Sequence, residues 1–88
     1  MAKQKPDWAD WDAFVEQHPV DLDFNVQVRM SVGLQVLTAT GGDSVSVHDN
    51  TLWAGGSSPE KLDRFAATQL ATCGWRWNDQ YDCWTFNT

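Results

Sequence analysis

Eighty-eight residues with a formal net charge of −6 suffice for one domain but not for a large core. The excess of carboxylates repels phosphate backbones and anionic lipid headgroups, so direct nucleic-acid binding and a membrane-surface partner are not expected. Apolar residues at 42% and charged residues at 20% exclude a disordered chain, and no stretch approaches the ~20 apolar residues of a membrane span.

Residues 1–6 read as a disordered basic tail carrying Lys3 and Lys5, and residues 7–88 as a single domain. The opening Met1-Ala2-Lys3-Gln4-Lys5 leads into no apolar run. A secretory signal is therefore not expected, and the default location is the cytoplasm. Asp7 is a good N-cap for a helix over residues 8–17, with Asp10 supporting the first turn. That helix should stop before His18-Pro19, because a residue preceding proline avoids the α region. Trp8, Trp11, Phe14 and Val15 share one arc of it, with Asp12 at the edge.

Residues 22–32 alternate Leu22, Phe24, Val26, Val28, Met30 and Val32 with polar neighbours. Period two predicts a strand with one dry and one wet face. Gly33 reads as a bulge or turn, residues 34–40 as a second strand, Gly41-Gly42 as a turn and residues 45–48 as a third strand. Asp49-Asn50 is a two-residue turn into a short strand at residues 51–53. Gly55-Gly56 ends this meander.

A helix follows. It opens on Ser57 with Glu60 as a capping box, or on Ser58 with Pro59 as N-cap and first residue. Leu62, Phe65, Ala66, Leu70 and Cys73 form its apolar arc, and Gly74 is its stop. Gln69 interrupts that arc, as a glutamine at the edge of the core or a contact in a partner's groove. Residues 75–86 make a β-hairpin. Trp75 and Trp77 share a face of its first arm. On the second arm Tyr81, Cys83 and Thr85 face one way, and Asp82, Trp84 and Phe86 the other. The expected order is α-β-β-β(-β)-α-β-β. The fold class is α+β, an antiparallel sheet with two helices on one face, which the hairpin extends.

Catalytic chemistry is not expected. His18 and His48 are the only histidines, at a helix end and beside a turn, where exposed histidines occur. No nucleophile elbow, zinc-protease motif or phosphate loop is present. Gly41-Gly42 and Gly55-Gly56 lack the following lysine of a P-loop and serve as turns. Cys73 and Cys83 stand at no zinc-like spacing from either histidine, and Asp7, Asp10 and Asp12 match no EF-hand loop. No metal and no cofactor are expected. The two cysteines read as small buried hydrophobes in a reducing compartment, although a disulfide closing the hairpin base is also geometrically open.

Binding is the remaining class. Asp7, Asp10, Asp12, Glu16, Asp21 and Asp23 run with no basic residue between them. Helix-start placement and solvation account for such charge, and so does a patch that docks on a basic surface. Trp75 and Trp77 can complete a core short of aliphatics. Trp84 and Phe86, beside Asp79 and Asp82, are expected to be partly exposed and to form a protein-binding hot spot. The expected partner-binding set is therefore Asp10, Asp12, Glu16, Asp79, Asp82, Trp84 and Phe86. In size and charge, with no shared motif, the chain is similar to small phage-encoded inhibitors, including anti-CRISPR proteins and DNA mimics. The resemblance implies an inhibitor of phage or mobile-element type that occupies a basic, nucleic-acid-binding surface of a larger protein. A carbohydrate or small-ligand domain stacking on Trp53, Trp75, Trp77 or Trp84 is the alternative. So is a structural subunit that assembles with copies of itself through an exposed strand edge.

Overall fold

A computed structural model describes residues 6–42 and 44–87. Residues 1–5 of the predicted tail lie outside them. Pro6, also assigned to that tail, is half-buried, and its carbonyl accepts from the Ala9 N–H at 3.0 Å. The first predicted helix divides in two. A 3-10 turn spans Asp7–Ala9, and α1 then runs Trp11–Gln17. Asp10 takes the capping role foreseen for Asp7, accepting from the Ala13 N–H at 3.4 Å. The helix stops at His18-Pro19 as the sequence predicts, with Trp11 and Phe14 buried.

Residues 22–40 depart furthest from expectation. They hold no strand; helix α2 occupies Val26–Ala39. Asn25 caps it by accepting from the Val28 N–H at 2.9 Å. Helical geometry sets Met30, Gly33 and Leu37 on one side, and Gly33 and Leu37 are buried there. The even-spaced Leu22, Phe24, Val26 and Val28, which should have lined one dry strand face, are all exposed. β-propensity measures fit to a pleated, half-buried surface, and tertiary packing overrides it. Here that packing is the Trp75 indole, which lies against α2 where Gly33 has no side chain; a Cβ at Gly33 would overlap the indole nitrogen and its two neighbouring carbons.

Strands β1 (Val45–His48), β2 (Thr51–Ala54), β3 (Arg76–Asn78) and β4 (Cys83–Asn87) form one antiparallel sheet in the order β1-β2-β4-β3. The two-residue turn at Asp49-Asn50 is present. Its φ values of 51° and 62° are those of a type I′ turn, whose twist suits a hairpin. The C-terminal hairpin does extend the sheet, because β4 inserts beside β2. Between the hairpins, Ser58 precedes a 3-10 turn at Pro59–Lys61. Helix α3, Arg64–Cys73, starts later than the sequence suggests. Its N-cap is Asp63, which accepts from the Ala66 N–H at 2.7 Å. Gly74 ends α3 with φ 92° as expected, a conformation glycine adopts without strain. Phe65, assigned to the apolar arc of α3, is 72% exposed instead. The architecture is α+β, in the order α-α-β-β-α-β-β, with a helix where the first two strands were expected.

The core lies between the helices and one face of the sheet. Leu52, Ala54, Trp84 and Phe86 project from that face toward Trp11, Phe14, Leu37 and Leu70. Four of the six tryptophans tie this layer to backbone. The indole N–H groups of Trp8, Trp11, Trp75 and Trp84 donate to the carbonyls of Leu62, Trp75, Arg29 and Ser57 at 2.9–3.3 Å. Three of those carbonyls sit in connecting segments, which lack ladder partners of their own. Indole area and indole N–H together thus hold loops onto a small core.

Candidate functional site

Two members of the expected binding set are interior. Trp84 is 0% exposed and Phe86 1%, so neither forms a surface hot spot. The predicted alternation along β4 is present, with Trp84 and Phe86 buried and Cys83 and Thr85 half-buried. Helices cover the face that was expected to meet solvent. Trp84 stands edge-on to Trp11 at 4.8 Å and to Trp77 at 5.3 Å between ring centroids. Phe86 lies 5.1 Å from Trp75.

The carboxylates of the set divide between two surfaces. Asp10, Asp79 and Asp82 come together with Asp7 and Glu60 around a cleft of about 560 Å³, with Trp77 in its wall. Each is placed by a local device. Asp7 belongs to the 3-10 turn and Asp10 to the cap of α1. Buried Pro59 anchors the turn that presents Glu60. In the β3–β4 loop the Asn78 side chain accepts from the Gln80 and Tyr81 N–H groups at 3.0 and 3.2 Å. That Asx turn and the left-handed Asp82, φ 49°, set Asp79 and Asp82 on the same rim. Lys61 belongs to an adjoining cleft that shares Trp77 and Asp82. No three His, Cys, Asp or Glu side chains among the described residues converge as metal ligands.

Asp12 and Glu16 lie elsewhere. They line a second cleft with Val15, Pro19, Val20 and Arg76, where a guanidinium shares the surface. Asp7, Glu60 and Trp77 are cleft residues missing from the expected set. Glu60 registered only as a capping residue, Asp7 as a cap within the acidic run, and Trp77 as core or as a stacking platform for a carbohydrate or small ligand. Nothing local in the sequence says that the turn before α3 and the loop after β3 meet.

Of the four tryptophans offered as stacking platforms, Trp75 and Trp84 are 0% exposed and cannot serve. Trp77 is half-buried in the acidic cleft. Trp53 is half-buried on the opposite face of the sheet, edge-on to Tyr81 at 5.9 Å. His48 is exposed as expected, whereas His18 is half-buried and stacks on Phe14 at 4.1 Å. Gln69 is half-buried at the edge of a small cleft with Phe24 and Val28.

Both cysteines are free thiols, Cys73 buried and Cys83 half-buried. Burial pushes both upward from the ordinary thiol value; nearby Asp82 adds to the rise at Cys83, and Arg29 opposes it at Cys73. The thiolate is the reactive form. Alkylation at pH 7 is therefore expected to be slow, with Cys83 reacting before Cys73 and Cys73 reacting fully only in denaturant. Mass spectrometry of iodoacetamide-treated native protein measures this, and rapid labelling of Cys73 would contradict the packing of α3.

No helix among the described residues is long and apolar enough to cross a membrane. Comparison with protein-family models, with curated proteins and with solved structures finds no match.

Proposed function

We propose that the protein is a non-enzymatic binding module that receives basic side chains of a protein partner in the cleft walled by Asp7, Asp10, Glu60, Asp79, Asp82 and Trp77. The observation that supports this reading is the gathering of five carboxylates from three separate chain segments around one partly exposed indole. Among the described residues the cleft lining carries charge of one sign, and such a cleft concentrates field lines and speeds encounter with a cationic surface. An indole face beside carboxylates adds a cation–π contact for a lysine or arginine seated there. The module would act by occupancy. Where the surface it covers is one that otherwise holds nucleic acid, the consequence is inhibition of the mobile-element kind that size and charge suggest.

An arginine-rich peptide titrated against intrinsic tryptophan fluorescence tests the cleft. Asp79→Asn combined with Asp82→Asn is expected to weaken binding by about 2- to 30-fold, since exposed ion pairs contribute about 0.2–1 kcal/mol each. Asparagine also tolerates the left-handed backbone at position 82. Asp12→Asn combined with Glu16→Gln removes the same formal charge from the other cleft and should leave affinity nearly unchanged. Equal losses in the two variants would reduce the effect to net charge and remove the cleft from the argument. Affinity should also fall as salt rises through about 0.15 M.

A further inference from the structure

We propose that this chain carries an internal occupant for its own acidic cleft: Lys3 and Lys5 lie across it and compete there with the basic side chains of a partner. The inference rests on the reading of the cleft as a receiver of cations, and adds the regulation of that site. Directly after these lysines the chain forms part of the cleft wall, since Pro6 and Asp7 both line it. Lys5 is bonded to Pro6, so their Cα atoms are about 3.8 Å apart. Pro6 is extended, at φ −65° and ψ 161°, and a residue before proline is steered toward extended backbone as well. Along an extended segment alternate side chains share a side, which puts Lys3 and Lys5 together, about 7 Å apart, and Gln4 opposite.

Charge selects these two lysines. Among the described residues the lining holds the carboxylates of Asp7, Asp10, Glu60, Asp79 and Asp82 and no Lys, Arg or His. The chain has six Lys and Arg residues, and four of them are placed elsewhere. Arg29 donates through Nε to the Phe24 carbonyl at 3.2 Å. Arg64 lies over the Trp8 ring at 5.2 Å. Arg76 shares the second cleft with Asp12 and Glu16. Lys61 lines the adjoining cleft, and of the five carboxylates only Asp82 lines that one too. Lys3 and Lys5 remain. No Asp or Glu in residues 1–6 offsets them, and the first carboxylate after them, Asp7, is itself part of the cleft.

A tethered segment needs little intrinsic affinity. A short tether holds its charges at an effective concentration of roughly millimolar order. A free partner then meets the cleft only in the fraction of molecules where the lysines are off it, and its apparent affinity falls by that fraction. Trp77 in the wall offers its indole face to a lysine of the chain as well as to an arginine of a partner. The device acts as a filter. A partner with one or two cations gains nothing over the tethered pair, whereas an array of cations displaces it. Two exposed ion pairs set the scale of the competition at about 2- to 30-fold.

Lys3→Gln combined with Lys5→Gln, made in the whole chain, tests the contact first without any partner. The indole N–H resonance of Trp77 and the backbone amides of Asp79 and Asp82 are expected to shift, equally at every protein concentration. In an Asp79→Asn, Asp82→Asn background the lysine substitutions should move the Trp77 resonance far less. Titrated with an arginine-rich peptide, the lysine variant should bind about 2- to 30-fold more tightly than wild type. That gain should largely vanish in the asparagine background, which separates it from a change in net charge. Unchanged resonances overturn the proposal, and so do shifts that persist undiminished in the asparagine background. So does a peptide that binds wild type and the lysine variant equally. A peptide that binds neither form removes the partner reading of the cleft, and the resonances alone then decide whether the lysines lie on it.

Discussion

Gly33→Ala is expected to destabilise the protein by about 3 kcal/mol or more, against a helix-propensity gain of about 1 kcal/mol that an exposed site would show. The sign is decided by space. An added methyl at Gly33 would overlap the nitrogen and two carbons of the Trp75 indole. That ring cannot retreat: it is 0% exposed, its N–H donates to the Arg29 carbonyl at 3.3 Å, and Phe86 lies against it. Overpacking a core costs about 1–3 kcal/mol and more when nothing yields, in a domain whose whole stability is of order 5–15 kcal/mol. Thermal unfolding should show a midpoint lower by roughly 12–24 °C for a chain of this size. In a Trp75→Leu background the methyl has room, so Gly33→Ala should become nearly neutral there. A coupling of about 3 kcal/mol between the two sites would follow from a double-mutant cycle in urea. Additive effects would show that the indole does not lie on α2.

Trp84→Ala should be nearly as severe, and its effect should be on folding rather than on binding alone. Emptying a core site of an aromatic costs about 3–5 kcal/mol. The lost indole N–H also strands the Ser57 carbonyl, now bonded at 2.9 Å, which adds about 1 kcal/mol or more if water does not replace it. Trp11 and Trp77 both stand edge-on to this ring, so their packing would loosen with it. Trp84→Phe keeps apolar area but not the donor, and should fall between wild type and Trp84→Ala. The measurement is the urea midpoint at unchanged m-value. A Trp84→Ala protein of native stability that had lost only its affinity for basic peptides would instead restore Trp84 to the surface.

These two residues mark where local pattern misleads. In residues 22–32 the apolar residues do recur every second position, and the strand reading follows from that spacing alone. Contrary signals are present in Asn25, a cap three residues before Val28, and in Met30, Gly33 and Leu37 at helical spacing. They prevail only because a tryptophan more than forty residues later packs on the face that Gly33 leaves open. The hairpin shows the complementary error. Alternation separates Trp84 and Phe86 from Cys83 and Thr85 correctly, but a period of two does not tell which face the helices will cover. The carboxylate set shows a third case. Asp10, Asp79 and Asp82 were legible as charge, yet their meeting with Glu60 depends on two loops brought together by packing.

What the residues determine unaided is local: the stop at His18-Pro19, the turn at Asp49-Asn50, the left-handed Gly74, the final hairpin, and an α+β composition of elements. Each follows from backbone preferences within a few residues. What only the tertiary structure decided is which faces are inside. Burial of an indole is a contact between distant segments, and neither the identity of α2 as a helix nor the interior position of Trp84 exists until those segments pack.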